Sequence, residues 1–204
     1  MENKKINPFL GILMLLPLFL TSCFGLMTHP LPEKMAVKYE ENKDEMQEIY
    51  EYVKKAIDDS CYVWVVFNKD GISNYRAQLP NSDNVMNKWD YPNADSVMNL
   101  VGLDKAEIDV IHKKLDSIKC IGVEYSYKKD RIDINWRYNG FNLLSFEIFN
   151  NPMTDSEKEY ALKCAECGVP YNDHVIFHNY GGAVGYLDFP SEERERYLEI
   201  HQPW

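Results

Sequence analysis

The chain has 204 residues and carries 32 Asp+Glu against 22 Lys+Arg, a formal net charge of −10. That balance argues against nucleic acid, because neutralising phosphates takes clustered Lys and Arg. With 45% hydrophobic residues, 26% charged residues, ten Gly and ten Pro, wholesale disorder and collagen-like or linker-dominated chains are excluded as well.

Lys4 and Lys5 precede the apolar run Phe9–Leu20, which is interrupted by Gly11 and Pro17. The run is too short to span a bilayer, which takes roughly 20 apolar residues, and its charge-then-apolar order is that of a secretory signal. It closes on Leu20-Thr21-Ser22-Cys23. In these residues the sequence resembles a bacterial lipoprotein precursor with its lipobox. The resemblance covers residues 1–23 and implies removal of 1–22 and acylation of Cys23, hence a membrane anchor in the cell envelope. Acyl chains on one cysteine would hold firmly, since each buried CH₂ contributes about 0.8 kcal/mol. The alternative is an ordinary secretory signal with Cys23 as a bystander. Phe24-Gly25-Leu26-Met27 lacks the acidic run that marks surface export in some bacteria, so the expected address is the outer membrane, facing the periplasm.

Residues 23–39 contain Pro30 and Pro32 and no periodicity, and read as the lipidated Cys and a tether; 40–204 read as a single globular domain. Met46, Ile49, Tyr50, Val53 and Ile57 recur at three and four, which predicts a helix, with Asn42 and Glu45 as its capping box. Cys61–Phe67 reads as a strand buried on both faces, and after the Asn68-Lys69-Asp70-Gly71 turn Ile72–Leu79 returns as a second. The Asn- and Asp-rich stretch 80–103 is expected to hold two short helical turns, near Val85–Trp89 and Asp95–Val101. Asp104 and Glu107 cap a further helix through Ile108, Ile111, Leu115 and Ile118.

Three alternating strands follow: Ile121–Tyr127, Ile132–Tyr138 and Leu144–Ile148. A three-residue loop, Tyr138 to Gly140, would set Ile134 opposite Leu144 and Ile132 opposite Phe146, with Gly140 where φ is positive. The other face of these strands then carries Glu124, Asp133, Asn135, Arg137, Ser145 and Glu147. Thr154 and Glu157 cap a helix that stops at Gly168; Val175–Phe177 and Ala183–Phe189 read as a hairpin about Gly181-Gly182; Ser191–Ile200 reads as a last helix. The fold class is α+β: an antiparallel sheet of about five or more strands with helices, in the order α-ββ-α(α)-βββ-α-ββ-α. That succession resembles PAS-like and profilin-like sensor or docking domains, by element order alone; such folds do not fix function.

Candidate chemistry is sparse. Cys164, Cys167, His174 and His178 spell C-x2-C-x6-H-x3-H, superficially a four-ligand zinc pattern. In a β-like 174–178 segment the two imidazoles would lie about 13 Å apart, too far for one ion, so no metal or other cofactor is expected. Cys164 and Cys167 fall in a last helical turn, where the dipole opposes a reactive thiolate. In an oxidising compartment Cys61, Cys120, Cys164 and Cys167 are disulfide candidates, with Cys61–Cys120 slightly favoured because each begins a strand. His112, four residues before Asp116, has no companion nucleophile and reads as a partly buried helix histidine. Asn68-Lys69-Asp70-Gly71 fails as a calcium loop, because Val66 and Ala77 stand where carboxylates belong.

Fourteen Tyr and four Trp leave room for a binding surface, and Tyr75, Trp89 and Tyr91 are the candidates for exposure. Together these features predict no catalytic residues and a lipid-anchored envelope protein. Its role would be that of a non-catalytic module binding a small ligand or a protein, the acidic charge favouring a basic partner. The alternative is an envelope hydrolase or metal-dependent enzyme built on Cys164, Cys167, His174 and His178.

Overall fold

The computed structural model describes residues 32–57, 60–126, 130–139, 142–163, 168–180 and 189–204. Cys23, Cys164, Cys167 and the Ala183–Phe189 strand expected from sequence lie outside them, apart from Phe189.

The described chain opens on a helix where a tether was expected. α1 (Pro32–Glu40) starts on proline, whose fixed φ suits a first helical position, and buries Met35. Lys38 at its far end donates to the Ile118 carbonyl at 2.5 Å. α2 (Lys43–Ala56) buries Met46, Ile49, Tyr50 and Val53, the stripe read from spacing. Its expected capping box is not formed: the Asn42 amide donates backwards to the Lys38 carbonyl at 2.8 Å, tying α2 to α1 instead.

β1 (Tyr62–Asn68) and β2 (Gly71–Gln78) form the first hairpin. β3 (Val85–Asn87) is a three-residue edge strand where a helical turn was expected, and α3 (Ala94–Leu100) follows, capped by Asn93. α4 (Lys105–Ser117) carries the predicted box, with Asp104 and Glu107 each accepting from the other's backbone N–H.

β4 (Gly122–Ser126), β5 (Arg131–Asn139) and β6 (Asn142–Phe149) form the antiparallel centre. Apolar residues face one another as expected, but two positions out of the predicted register: Ile134 pairs with Phe146 and Ile132 with Ile148. Asn139 pairs with Asn142, leaving two residues between them, and an irregularity between Asn135 and Arg137 admits Trp136 as an extra residue. The shorter loop and the bulge together restore the parity that either alone would break.

α5 (Asp155–Lys163) begins at the predicted Thr154/Glu157 box: the Thr154 N–H donates to Glu157 Oε2 at 2.7 Å, and the Glu157 N–H returns to Thr154 Oγ1 at 3.3 Å. β7 (Val169–Asn172) and β8 (Val175–Tyr180) make the last hairpin of the described residues, and α6 (Ser191–His201) closes the chain. Arg194 of α6 is buried and caps the end of α5, donating to the carbonyls of Ala161, Leu162 and Gly168.

The eight strands of the described residues join one antiparallel sheet in the order β3-β2-β1-β4-β5-β6-β8-β7, so the class is α+β, with the expected element order matched in part. One face holds the main core: Val63, Val65, Val123, Ile132, Ile134, Phe146 and Phe177 under Ile49, Val53, Ile111 and Leu115 of α2 and α4. Phe146 lies edge-on to Phe177 within it, with centroids 5.7 Å apart. The other face is polar and covered at one end by α5, through a small cluster of Met153, Ala161, Ile176 and Phe149. Among the described residues no helix is long and apolar enough to cross a membrane.

Candidate functional site

The polar face is ordered by strand pairing. Trp64, Glu124, Asp133, Glu147 and Ile176 form one cross-strand row, and Gly122, Asn135, Ser145 and His178 form the next. Three carboxylates therefore stand directly opposite one another on β4, β5 and β6, an arrangement that is destabilising unless something offsets it. Gly122 makes the second row fit: a Cβ there would lie 2.3 Å from the Val65 carbonyl oxygen.

The offset comes from the adjacent positions. Arg131, two residues before Asp133 on β5, pairs through Nη1 with Glu147 Oε1. His178 Nε2 lies 2.8 Å from Glu147 Oε2; an ionised carboxylate only accepts, so this nitrogen is the donor. Asp133, Glu147 and His178 are 4%, 2% and 7% exposed, and one ligand-type atom from each lies within 4.8 Å of the others. Tyr180 stacks on the His178 ring with centroids 4.7 Å apart and planes 6° apart. Burial raises the Tyr180 phenol above its ordinary pKa, Asp133 adds to the rise, and Arg131 opposes it. Tyr62 at the far side is raised in the same way, by burial first and then by Glu124.

A cleft of about 510 Å³ opens onto this centre between the sheet and α5. Its polar floor is Arg131, Glu147, His178 and Tyr180; Phe149, Met153 and Ile176 line it with apolar surface, and Ser156 and Tyr160 stand on α5. A larger depression of about 580 Å³ at the β1–β2 end is lined by Asp83 and otherwise by uncharged side chains. The first has convergent charged groups at its base and the second does not, which makes the α5 cleft the candidate site.

The residues singled out from sequence are dispersed. His178 belongs to the centre, with carboxylates as neighbours. His174 stays at the β7–β8 turn, where Nδ1 donates to the Phe149 carbonyl at 3.1 Å, and it does not join the Asp133–Glu147–His178 group. Cys61 and Cys120 are buried and not joined in a disulfide; the favoured bridge is not formed, and burial pushes the Cys120 thiol up to about 12. Tyr75 is 1% exposed and donates its hydroxyl to the Tyr91 carbonyl, so it is an interior residue and not a surface aromatic. Trp89 is 88% exposed, and Tyr91 is exposed with its hydroxyl accepting from Asn84 Nδ2 at 2.9 Å. His112 is partly buried and stacks on Phe67, centroids 4.6 Å apart.

Arg131 and Tyr180 were not anticipated. Their signal lay in alternation: 131, 133 and 135 share a face of β5, and 176, 178 and 180 share a face of β8. Comparison of the chain with protein families, curated proteins and solved structures finds no match.

Proposed function

We propose that the chain is a lipid-anchored envelope protein whose domain is a non-catalytic binding module, with a small ligand seated in the cleft between α5 and the polar face of the sheet. The observation that carries this reading is the cleft over the Arg131–Glu147–His178 network, in which Glu147 and His178 are buried and Arg131 is half-buried. Buried ion pairs are often no more stabilising than apolar residues of the same size, so stability alone is a weak reason for this one. The lining combines an apolar wall (Phe149, Met153, Ile176) with a few convergent polar groups, the composition of small-molecule sites. Glu147 and Glu157 outnumber Arg131 in its lining, which favours a ligand with a cationic part. The anchor rests on Lys4, Lys5, the Phe9–Leu20 run and the residues leading to Cys23.

Native mass spectrometry of the full chain, extracted from its host's membranes in mild detergent, tests the binding reading. A bound small molecule is expected on the wild type and absent from Ser156→Trp, which fills the cleft from an exposed position on α5. An adduct retained by Ser156→Trp would overturn it. Metabolic labelling with an alkyne fatty acid tests the anchor: label on the wild type and none on Cys23→Ser is the expected result.

A further inference from the structure

We infer that Asp133, Glu147 and His178 together seat one divalent ion of the zinc class, reached from the α5 cleft, whose floor Glu147 and His178 form. This deepens the binding reading and rests on it, since the cleft is the route by which the ion, and a fourth ligand, would arrive.

Three observations converge. The donor set is one imidazole and two carboxylates, from three neighbouring strands, with ligand-type atoms already within 4.8 Å. Zinc bonds of about 2.0–2.1 Å bring donor atoms to roughly 3.3 Å from one another, so a carboxylate rotation closes the remaining gap. Second, Glu147 is pre-oriented: Arg131 holds Oε1, which leaves Oε2 facing His178 Nε2. Tyr180 stacked on the imidazole and the close backbone of Gly168 fix the ring, a Cβ at 168 falling 2.8 Å from His178 Nδ1. The Arg131 contact is the kind of outer partner that orients a ligating carboxylate. Third, Glu124, Asp133 and Glu147 stand directly opposite one another on β4, β5 and β6, and a cation at the Asp133–Glu147 gap adds to the offset that Arg131 and His178 supply.

Ion choice follows from the ligands. Magnesium and calcium favour all-oxygen donor sets, whereas an imidazole nitrogen beside two carboxylates suits zinc, which takes three protein ligands and leaves a position open. Binding requires the hydrogen on His178 Nε2 to move to Nδ1, the other tautomer of the neutral imidazole, which leaves the Nε2 lone pair for the ion.

The test uses the full chain in detergent, stripped with a chelator and dialysed against zinc, then against cobalt(II). One ion per chain is expected. The cobalt absorption should lack thiolate charge transfer, because no cysteine is a ligand. Asp133→Asn, Glu147→Gln and His178→Ala should each weaken zinc roughly 100-fold or more, and the Cys164→Ser/Cys167→Ser double variant should bind as the wild type does. Absence of stoichiometric zinc, or loss of zinc in the cysteine variant, overturns the inference. Should one variant fail to fold, any other that folds and binds with wild-type affinity overturns it equally. The Ser156→Trp experiment reports separately: a cleft that holds an organic ligand without zinc leaves the binding reading standing and removes this one.

Discussion

Arg131 and Glu147 allow a quantitative test of whether the buried network exists for stability. Glu147 is almost fully buried, and Arg131 and His178 both contact its carboxylate. Removing one partner of a buried pair costs about 3–5 kcal/mol, because the survivor is left charged in a poor solvent. Arg131→Met strands Glu147 beside Asp133, two like charges directly opposite on β5 and β6, so its cost belongs at the upper end, about 5 kcal/mol. Glu147→Leu strands Arg131 but also relieves the repulsion on Asp133, so about 3 kcal/mol is expected. For a chain of this size each kcal/mol lowers Tm by roughly 2–4 °C, giving falls of about 10–20 °C and 6–12 °C. The double variant Arg131→Met/Glu147→Leu should return to within about 1 kcal/mol of wild type while losing the cleft ligand. Thermal unfolding followed by circular dichroism, checked by calorimetry, reads all three. A double variant as unstable as the worse single would refute the reasoning, because the network would then be structural.

Three further outcomes are expected. Asp130 accepts from Tyr50, Lys54 and Asn150 at 2.9, 2.8 and 2.9 Å, and Lys54 above all holds its carboxyl below the ordinary 3.8. A depressed carboxyl stabilises the fold above its unfolded pKa and loses that contribution as pH falls through the folded value. Asp130→Asn, which tolerates the positive φ there, should therefore cost about 1 kcal/mol at pH 7, discounted for exposure, and nothing near pH 2, read by urea unfolding at each pH. Gly168→Ala meets the Phe177 carbonyl oxygen at 2.2 Å and the His178 ring at 2.8 Å with φ at +84°, so it should cost at least about 1–3 kcal/mol and shift the His178 imidazole resonances. Tyr75→Phe leaves the Tyr91 carbonyl without its hydroxyl donor and should cost about 1–2 kcal/mol in unfolding while ligand binding is unchanged, as befits an interior residue.

Elements were legible where one local rule sufficed. The α2 stripe, the Asp104 and Thr154 boxes and the Asn68–Gly71 turn each depend on residues within a few positions of one another. The β5–β6 register was not, because a bulge at Trp136 and a two-residue loop cancel in parity, so alternation alone leaves a shift of two undetected. α1 escaped because nine residues with one fully buried methionine carry no readable period; its packing against Ile118 and α6 is tertiary. The site was half legible. Alternation put Glu124, Asp133, Asn135, Arg137, Ser145 and Glu147 on one face, the bulge at Trp136 then setting Arg137 opposite Leu144, and the spacing of 174 and 178 drew attention to His178. What joined them is the β6–β8 pairing across 31 residues of sequence, which no local pattern specifies.

The most direct measurement is a crystal structure of the full chain purified from its host's membranes without chelator, with anomalous data collected at the zinc edge. We expect one anomalous peak within bonding distance of Asp133, Glu147 and His178 Nε2, and further density running into the cleft past Tyr180. An ordinary hydrogen bond from His178 to Glu147 with only solvent in the cleft, and a ligand bound elsewhere on the domain, would contradict both the ion seat and the binding site.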